Sequence, residues 1–187
     1  MKLDILAIGA HPDDVELGCS GTLAKEIHQG KSVGILDLTR GELGTRGSAE
    51  IRDKESAAAA KILNIKIREN LSFSDGFFIN DKHHQIEIIK IIRKYRPEVV
   101  FCNAVDDRHI DHPKASQLVS ASCFLSGLTK INTKLDGSNT FQEEWRPKFI
   151  YHYLQWKNIS PDICVDISDF MTIKLKAVMA YKSQFLN

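Results

Sequence analysis

The sequence predicts an α/β fold, a Rossmann-like three-layer αβα sandwich with a mostly parallel sheet, in one domain of 187 residues. Short apolar runs typical of buried strands alternate with segments of helical periodicity, which indicates βαβ units. Two of the apolar runs end in polar turns, at residues 10–14 and 103–113. With 43% hydrophobic and 26% charged residues, the composition is that of a globular domain.

The first strand is expected at residues 3–9, a short apolar run bounded by Gly9 and a polar cluster. A helix should follow from near Gly18. It carries apolar residues at helical spacing toward the core, namely Leu23, Ala24 and Ile27.

A second buried strand is expected at residues 32–39, followed by a glycine-rich loop at 40–47. A helix is then predicted over residues 48–63, because four consecutive alanines in it favour helix by intrinsic propensity. The polar face of this helix carries Arg52, Asp53 and Glu55.

The third strand is predicted at residues 65–73. Residues 81–95 repeat isoleucines at helical spacing and precede Pro97, which predicts an amphipathic helix that ends there. Residues 98–102 then form a short apolar fourth strand.

A helix is expected over residues 113–127, with Pro113 at its first position. Residues 128–146 lack periodicity and predict a loop or flap. Later strands are expected at 148–154 and 163–167, and Ser168 should cap a final helix that runs toward Asn187.

The turn after the first strand holds His11, Asp13 and Asp14. Open α/β sheets bind ligands at the carboxyl ends of their strands. Imidazole and carboxylate are zinc ligands, so His11 and Asp14 could face one ion while Asp13 serves as general base for a water molecule. The alternative is that the two aspartates cap the next helix.

A second turn, after the fourth strand, holds His109, Asp111 and His112. One of the histidines could complete a ligand set with His11 and Asp14, and His112 is preferred because a proline fixes the chain beside it. His109 could then act as an imidazolium that stabilises an oxyanion, with Asp111 controlling its protonation and orientation. The alternative is that these loop histidines are surface or capping residues.

The net charge of +1 excludes recruitment of nucleic acid or a membrane surface by a global field, and no stretch has the length of a membrane span. The four cysteines are scattered, which predicts buried thiols of a reducing compartment, and we expect a cytoplasmic protein. They are Cys19, Cys102, Cys123 and Cys164.

The segments AHPDDVELGCSG and DDRHIDHPKAS together resemble the PIG-L/LmbE-like N-acetylglucosaminyl deacetylases. Two further segments, TRGELGTRGSAEIRDKESAAAAKILNI and VDISDFMTIKLKAVMAYKSQF, resemble the bacillithiol-biosynthesis branch of that family. The resemblance covers nearly the whole chain. It implies a Rossmann-like fold and zinc-dependent removal of acetate from N-acetylglucosaminyl malate.

By motif position, the resemblance implies that Asp13 is the general base and that Arg52 holds the malate carboxylate. A helix-surface salt bridge is the alternative for Arg52. The remaining implied roles are zinc ligation by His11, Asp14 and His112, and electrostatic catalysis by His109 with Asp111 behind it.

The resemblance also implies that the chain forms a homo-oligomer, a hexamer or trimer. The small-molecule partner that it implies is an N-acetylated amino sugar conjugate. Zn²⁺ is the expected cofactor, and Fe²⁺ is possible because two histidines and one carboxylate also suit that ion. The chain stops soon after AYKSQF, where similar proteins continue, so we expect it to lack a C-terminal segment of the family.

Other functions remain open from the sequence. The chain could deacetylate another N-acetylglucosamine compound, or hold zinc without activity. Asp37 supports the hypothesis of a nucleotide-binding module. The chain, however, has no G-x-G-x-x-G motif after the first strand. A metal-dependent phosphoesterase would require more carboxylates, and Asp106 and Asp107 are the spare acids near the second turn.

Overall fold

The computed structural model describes residues 1–135 and 137–186. Asp136, in the expected loop, and Asn187, at the expected end of the final helix, lie outside the described residues. The strands are β1 (Ile5–Gly9), β2 (Val33–Thr39), β3 (Ile67–Phe73), β4 (Val99–Cys102) and β5 (Phe149–His152). The helices are α1 (Asp14–Gly18), α2 (Ser20–His28), α3 (Ala49–Leu63), α4 (Lys82–Tyr95), α5 (Asp111–Leu125), α6 (Met171–Val178) and α7 (Lys182–Phe185).

The five strands form one sheet in the order β3-β2-β1-β4-β5, and each neighbouring pair is parallel. This confirms the predicted fold class. Strands β2 and β3 lie successively on one side of β1 within the sheet. The chain then crosses over, and β4 pairs with the other edge of β1. The order therefore reverses between β1 and β4, and ligands bind such sheets at the carboxyl ends of the strands that flank this point.

Strand β1 is buried on both faces, which explains its unbroken apolar sequence. Leu6 and Ile8 pack in a core cluster with residues of α4 and α5. Ile5 and Ala7 face the opposite side and pack with residues of α1 and α2. Side chains of a strand alternate between faces, so the sheet separates two helical layers.

The ends of α3 and α4 follow from local sequence. The Ser48 hydroxyl accepts a hydrogen bond from a backbone N–H of the first turn of α3, and Asp81 does the same for α4. Asn64 and Arg96 end the two helices with positive φ angles of 58° and 47°. Pro97 then prevents α4 from continuing.

The starts of α2 and α5 differ from the expectation. The separate short helix α1 precedes α2, and α5 begins at Asp111, so that Pro113 occupies its third position. Proline is tolerated there because the first four N–H groups of a helix have no partner within the helix.

The predicted strand at residues 163–167 is wrong. This segment forms no strand pairing, and Ile163 is 60% exposed. Ser168 does not cap a long helix; it opens a one-turn 3-10 helix (Ser168–Phe170), and its own N–H donates to the carboxylate of Asp166. The expected final helix is divided into α6 and α7. A strand requires backbone pairing with a neighbouring strand, and an apolar segment alone does not supply that pairing.

A buried ionic cluster fixes α1 to the sheet. The Arg68 guanidinium donates to both carboxylate oxygens of Asp37, at 2.7 and 2.9 Å, and to Oε1 of Glu16 at 2.5 Å. The Tyr181 hydroxyl donates to the same Glu16 oxygen at 3.2 Å. Glu16 lies on α1, so this cluster helps to hold the polar turn before α1 in place.

Three of the four cysteines are buried thiols as expected, whereas Cys164 is exposed. Across residues 1–135 and 137–186, we find no helix with both the length and the apolar character that crossing a bilayer requires.

Candidate active site

The turn after β1 has an unusual backbone, and the carboxylate of Asp13 does not cap the helix that follows. Asp13 has a φ of 111°, a conformation that costs a non-glycine residue about 1–3 kcal/mol. Although Asp13 precedes α1, its side chain makes no capping hydrogen bond. Asp14 accepts from the backbone N–H of His11 at 2.9 Å. The capping interpretation is therefore wrong for Asp13.

The buried carboxylate of Asp14 is the centre of the site. Its Oδ1 lies 3.1 Å from Nε2 of His112 and accepts from the amide of Gln155 at 3.0 Å. Its Oδ2 lies 3.4 Å from Nδ1 of His11 and accepts from the amide of Asn103 at 3.0 Å. Burial acts to raise the pKa of Asp14, but the two histidines outweigh it and hold the pKa well below its usual value.

Each of the two histidines turns its other ring nitrogen toward carboxylates. Nε2 of His11 lies 3.0 Å from Asp75 and 3.4 Å from Asp111. Nδ1 of His112 lies 3.0 Å from Asp107. Histidines that bind metals commonly have this arrangement, because an outer carboxylate fixes the ring and raises its basicity.

The described side chains fit a divalent cation. Around a tetrahedral ion with bonds of about 2.1 Å, neighbouring ligand atoms are about 3.4 Å apart. Asp14 turns a different oxygen to each histidine: Oδ2 lies 3.4 Å from Nδ1 of His11, and Oδ1 lies 3.1 Å from Nε2 of His112. Each of these two pairs is close to that spacing. Among the described residues, two groups of three side chains place one ligand atom each within 4.8 Å of one another: His11 with His109 and His112, and His11 with Asp75 and Asp111. The predicted set of His11, Asp14 and His112 is not one of these groups.

Asp13 is placed to transfer protons beside this cluster. Its side chain is only 14% exposed, and Oδ2 lies 3.1 Å from Nη2 of Arg52. Burial and the charge of Asp14 raise the pKa of Asp13 to about 7, against the opposing effect of Arg52. A carboxylate with such a pKa can accept and return a proton near neutral pH.

His109 lies at the exposed rim of the cluster. Its ring centroid is 4.6 Å from that of His11 and 4.9 Å from that of His112. Burial and the two neighbouring imidazoles lower the pKa of His109, which differs from the expected imidazolium. The backbone N–H of Asp111 donates to Nδ1 of His109, so the proton of a neutral His109 ring is on Nε2.

Asp111 does not support the His109 ring with its carboxylate, contrary to the expectation. The carboxylate accepts from the N–H of Gly76 at 2.8 Å and from Lys114 at 3.0 Å, and it lies near His11. Asp111 starts α5 and is fully buried, whereas His109 precedes the helix in an exposed turn. The helix start therefore directs the two side chains apart.

Arg52 is not a surface residue, so the alternative of a helix-surface salt bridge is wrong. It is 5% exposed, and its guanidinium donates to the carbonyls of Pro12 and Gly41 as well as pairing with Asp13. Gly41 has a φ of 65°, and a Cβ at this position would clash with Nη1 of Arg52. A role of Arg52 in binding a substrate carboxylate stays a prediction.

Three site residues were missed from the sequence. Asn103 accepts from the N–H of Ala10 at 2.8 Å and donates to Asp14 and Gln155, so it joins the two turns. Asp75 lies against the outer nitrogen of the His11 ring. Asn103, Asp75 and Gln155 all lie shortly after the carboxyl ends of strands, and the rule that predicted the first two turns would have identified them.

The family described as GlcNAc-PI de-N-acetylase, PIG-L, matches residues 6–123. The chain belongs to the PIG-L family. It is 31% identical to the diacetylchitobiose deacetylase of Thermococcus kodakarensis, over 97% of this chain and 70% of that protein.

Two solved structures support the same assignment. The conserved protein TT1542 from Thermus thermophilus is 43% identical, with a TM-score of 0.89 over 98% of this chain and 80% of that one. The N,N'-diacetylchitobiose deacetylase from Pyrococcus horikoshii, complexed with its inhibitor MPG, is 30% identical, with a TM-score of 0.84 over 98% and 71%. This PIG-L chain is therefore an enzyme of a deacetylase family.

The site of this PIG-L chain does not favour the nucleotide-binding alternative. Asp37, the residue that supported this alternative, is 2% exposed, and both of its carboxylate oxygens accept hydrogen bonds from Arg68. It has no free oxygen for a ribose hydroxyl.

Metal binding should release at least one proton at neutral pH. Burial disfavours protonation of His11, but the carboxylates of Asp111, Asp14 and Asp75 raise its pKa well above the usual value. The metal-free protein therefore holds this proton through neutral pH, and a metal must displace it. We expect the affinity for Zn²⁺ to rise by about tenfold per pH unit for each proton released. Calorimetric titrations in buffers of different ionisation enthalpy measure this number, and an affinity that is independent of pH would contradict the prediction.

Replacing Arg52 should change the pH profile of the enzyme. The charge of Arg52 lowers the pKa of Asp13, so we expect Arg52→Gln to raise that pKa. Because the base must be deprotonated, the acid limb of the kcat/KM profile should move to higher pH. Arg40→Gln is the matched control, since Arg40 is a partly exposed residue paired with Asp53. A profile that does not move, with only KM increased, would assign Arg52 to substrate binding alone.

Proposed function

We propose that the chain is a zinc-dependent N-deacetylase that removes the acetyl group from a small molecule containing N-acetylglucosamine. The observation that carries this proposal is the placement of Asp14 between the inner nitrogens of His11 and His112, beside Asp13. The side chains of His11, Asp14 and His112 suit a metal ion that keeps one coordination position open. The raised pKa of Asp13 suits a general base.

In the proposed mechanism, zinc held by His11, Asp14 and His112 would supply a Lewis acid that polarises the acetyl carbonyl and acidifies water. Asp13 takes the proton of the attacking water and returns it to the nitrogen of the departing amine. His109 donates from Nε2 to the oxyanion that forms on the carbonyl carbon. Asp75, Asp107 and Asp111 orient the rings of the ligand histidines.

Two substrates follow from different observations. N-acetylglucosaminyl malate, in bacillithiol biosynthesis, is the substrate that the sequence resemblance implies. Diacetylchitobiose is the substrate in the names of two relatives at 30% and 31% identity. The guanidinium of Arg52 already contacts Asp13 and two carbonyls, which favours the neutral disaccharide over an aglycone that needs a free arginine there.

The test is acetate release by the zinc-loaded chain, measured in parallel with both compounds and with free N-acetylglucosamine. We expect release that chelation abolishes and that added zinc restores. Release from none of the three compounds, by protein with zinc bound, would contradict the proposed activity and favour the alternative of an inactive zinc-holding protein.

The identity of the metal and the assembly are part of the proposal. Reconstitution with Zn²⁺ or anaerobic Fe²⁺ compares the two ions that the donor set suits. We expect a hexamer or trimer, as the resemblance implies, and sedimentation velocity measures the assembly. The scattered cysteines are the basis for expecting the protein in the cytoplasm.

A further inference from the structure

An exposed tryptophan follows, in sequence, a residue that contacts the metal cluster, by which we mean the predicted metal ligands His11, Asp14 and His112. Trp156 is 68% exposed, although tryptophan is among the side chains that gain most from burial. It directly follows Gln155, whose amide lies 3.0 Å from Asp14 and 3.5 Å from Nε2 of His112. The chain therefore passes from the centre of the site to the tryptophan in one residue.

The position of Trp156 is fixed relative to the predicted ligands. Its backbone N–H donates to Oδ2 of Asp107 at 2.9 Å. The other oxygen of Asp107 accepts from the backbone N–H of His109 at 2.9 Å and lies 3.0 Å from Nδ1 of His112. One carboxylate thus binds the tryptophan backbone and the His109 turn and lies against the His112 ring.

The indole has one supported face. The guanidinium carbon of Arg108 lies 4.7 Å from the centroid of the Trp156 ring, within the range of a cation–π contact. With 68% of the residue exposed, much of the indole surface is accessible to a ligand, and we infer that this surface is the face opposite Arg108. A rigid, amphipathic aromatic surface of this kind provides contact area at a low cost in conformational entropy.

We propose that Trp156 forms a second sugar subsite, stacking its open face on the apolar C–H face of the pyranose ring adjacent to the N-acetylglucosamine unit. This inference rests on the proposed function, which places the acetylated ring at the metal cluster. It predicts that the enzyme prefers an N-acetylated disaccharide to the monosaccharide, because only the disaccharide reaches the indole.

The kinetic test compares kcat/KM for N,N'-diacetylchitobiose with kcat/KM for N-acetylglucosamine. We expect this ratio to fall by about tenfold in Trp156→Ala, the size of an aromatic stacking contact, and to be largely restored in Trp156→Phe. Phe141→Ala is the matched control, since Phe141 is a 62% exposed aromatic residue below Lys134 in another loop. An unchanged ratio in Trp156→Ala would overturn the subsite, as would a change in assembly size that accounts for the loss.

A binding measurement separates this inference from the proposed function. The chain has two tryptophans, and Trp145 is the other. Adding diacetylchitobiose should change the intrinsic fluorescence of the wild type, and Trp156→Phe should lose that change. If no acetate is released but this signal is present, the subsite stands and the deacetylase proposal fails. If diacetylchitobiose changes the fluorescence of neither protein, the subsite is overturned.

Discussion

Asp13→Asn is expected to reduce kcat by about 10²–10⁴-fold while the protein keeps its metal. The amide cannot accept the proton of the attacking water, but it fills the same volume. Asparagine also tolerates the φ of 111° at this position better than most residues, so the turn should keep its shape. Acetate release and metal content, measured on the same samples, test both parts of the prediction.

Asp53→Asn is the matched control for that substitution. Asp53 lies on α3 with 45% of its side chain exposed, and it pairs with Arg40 outside the metal cluster. We expect its replacement to leave acetate release near the wild-type rate. Full turnover in Asp13→Asn would remove Asp13 from the role of general base, and loss of the metal would make it a ligand instead.

Arg68→Met is expected to destabilise the protein by about 3–5 kcal/mol, the cost of leaving a buried charge unpaired. Arg68 is the shared donor to Asp37 and Glu16, which are 2% and 0% exposed. Methionine fills part of the volume but pairs with neither carboxylate. Denaturant unfolding of the metal-free protein measures the loss without any contribution from metal binding.

The destabilisation by Arg68→Met should depend on pH. Burial raises the pKa of Asp37, and Arg68 opposes this, so the variant should raise the pKa further. A carboxyl whose pKa is higher in the folded than in the unfolded state lowers stability increasingly as pH rises above the unfolded value. The loss should therefore be smaller near pH 5 than near pH 8. Arg40→Met, which breaks a more exposed pair, should cost far less than Arg68→Met, and an equal cost in both variants would contradict this account.

Much of the candidate site could be predicted because local sequence and topology both point to it. A parallel sheet brings the carboxyl ends of β1 and β4 together, so the polar residues that follow them, His11 and Asp14 after one and His112 after the other, had to lie close. Spacing along the chain could not reveal the partners of Asp111, whose side-chain direction depends on the residue at which α5 begins.

The sequence by itself determined the alternation of strands and helices, the parallel sheet and the two polar turns, because periodicity and turn chemistry act over a few residues. Tertiary structure alone decided that residues 163–167 form no strand and that Arg52 and Arg68 are buried. The partners of these arginines lie far away in sequence: Arg52 pairs with Asp13, and Arg68 pairs with Glu16. Burial of a charge depends on the partner that the whole fold brings within reach, and no local pattern encodes that distance.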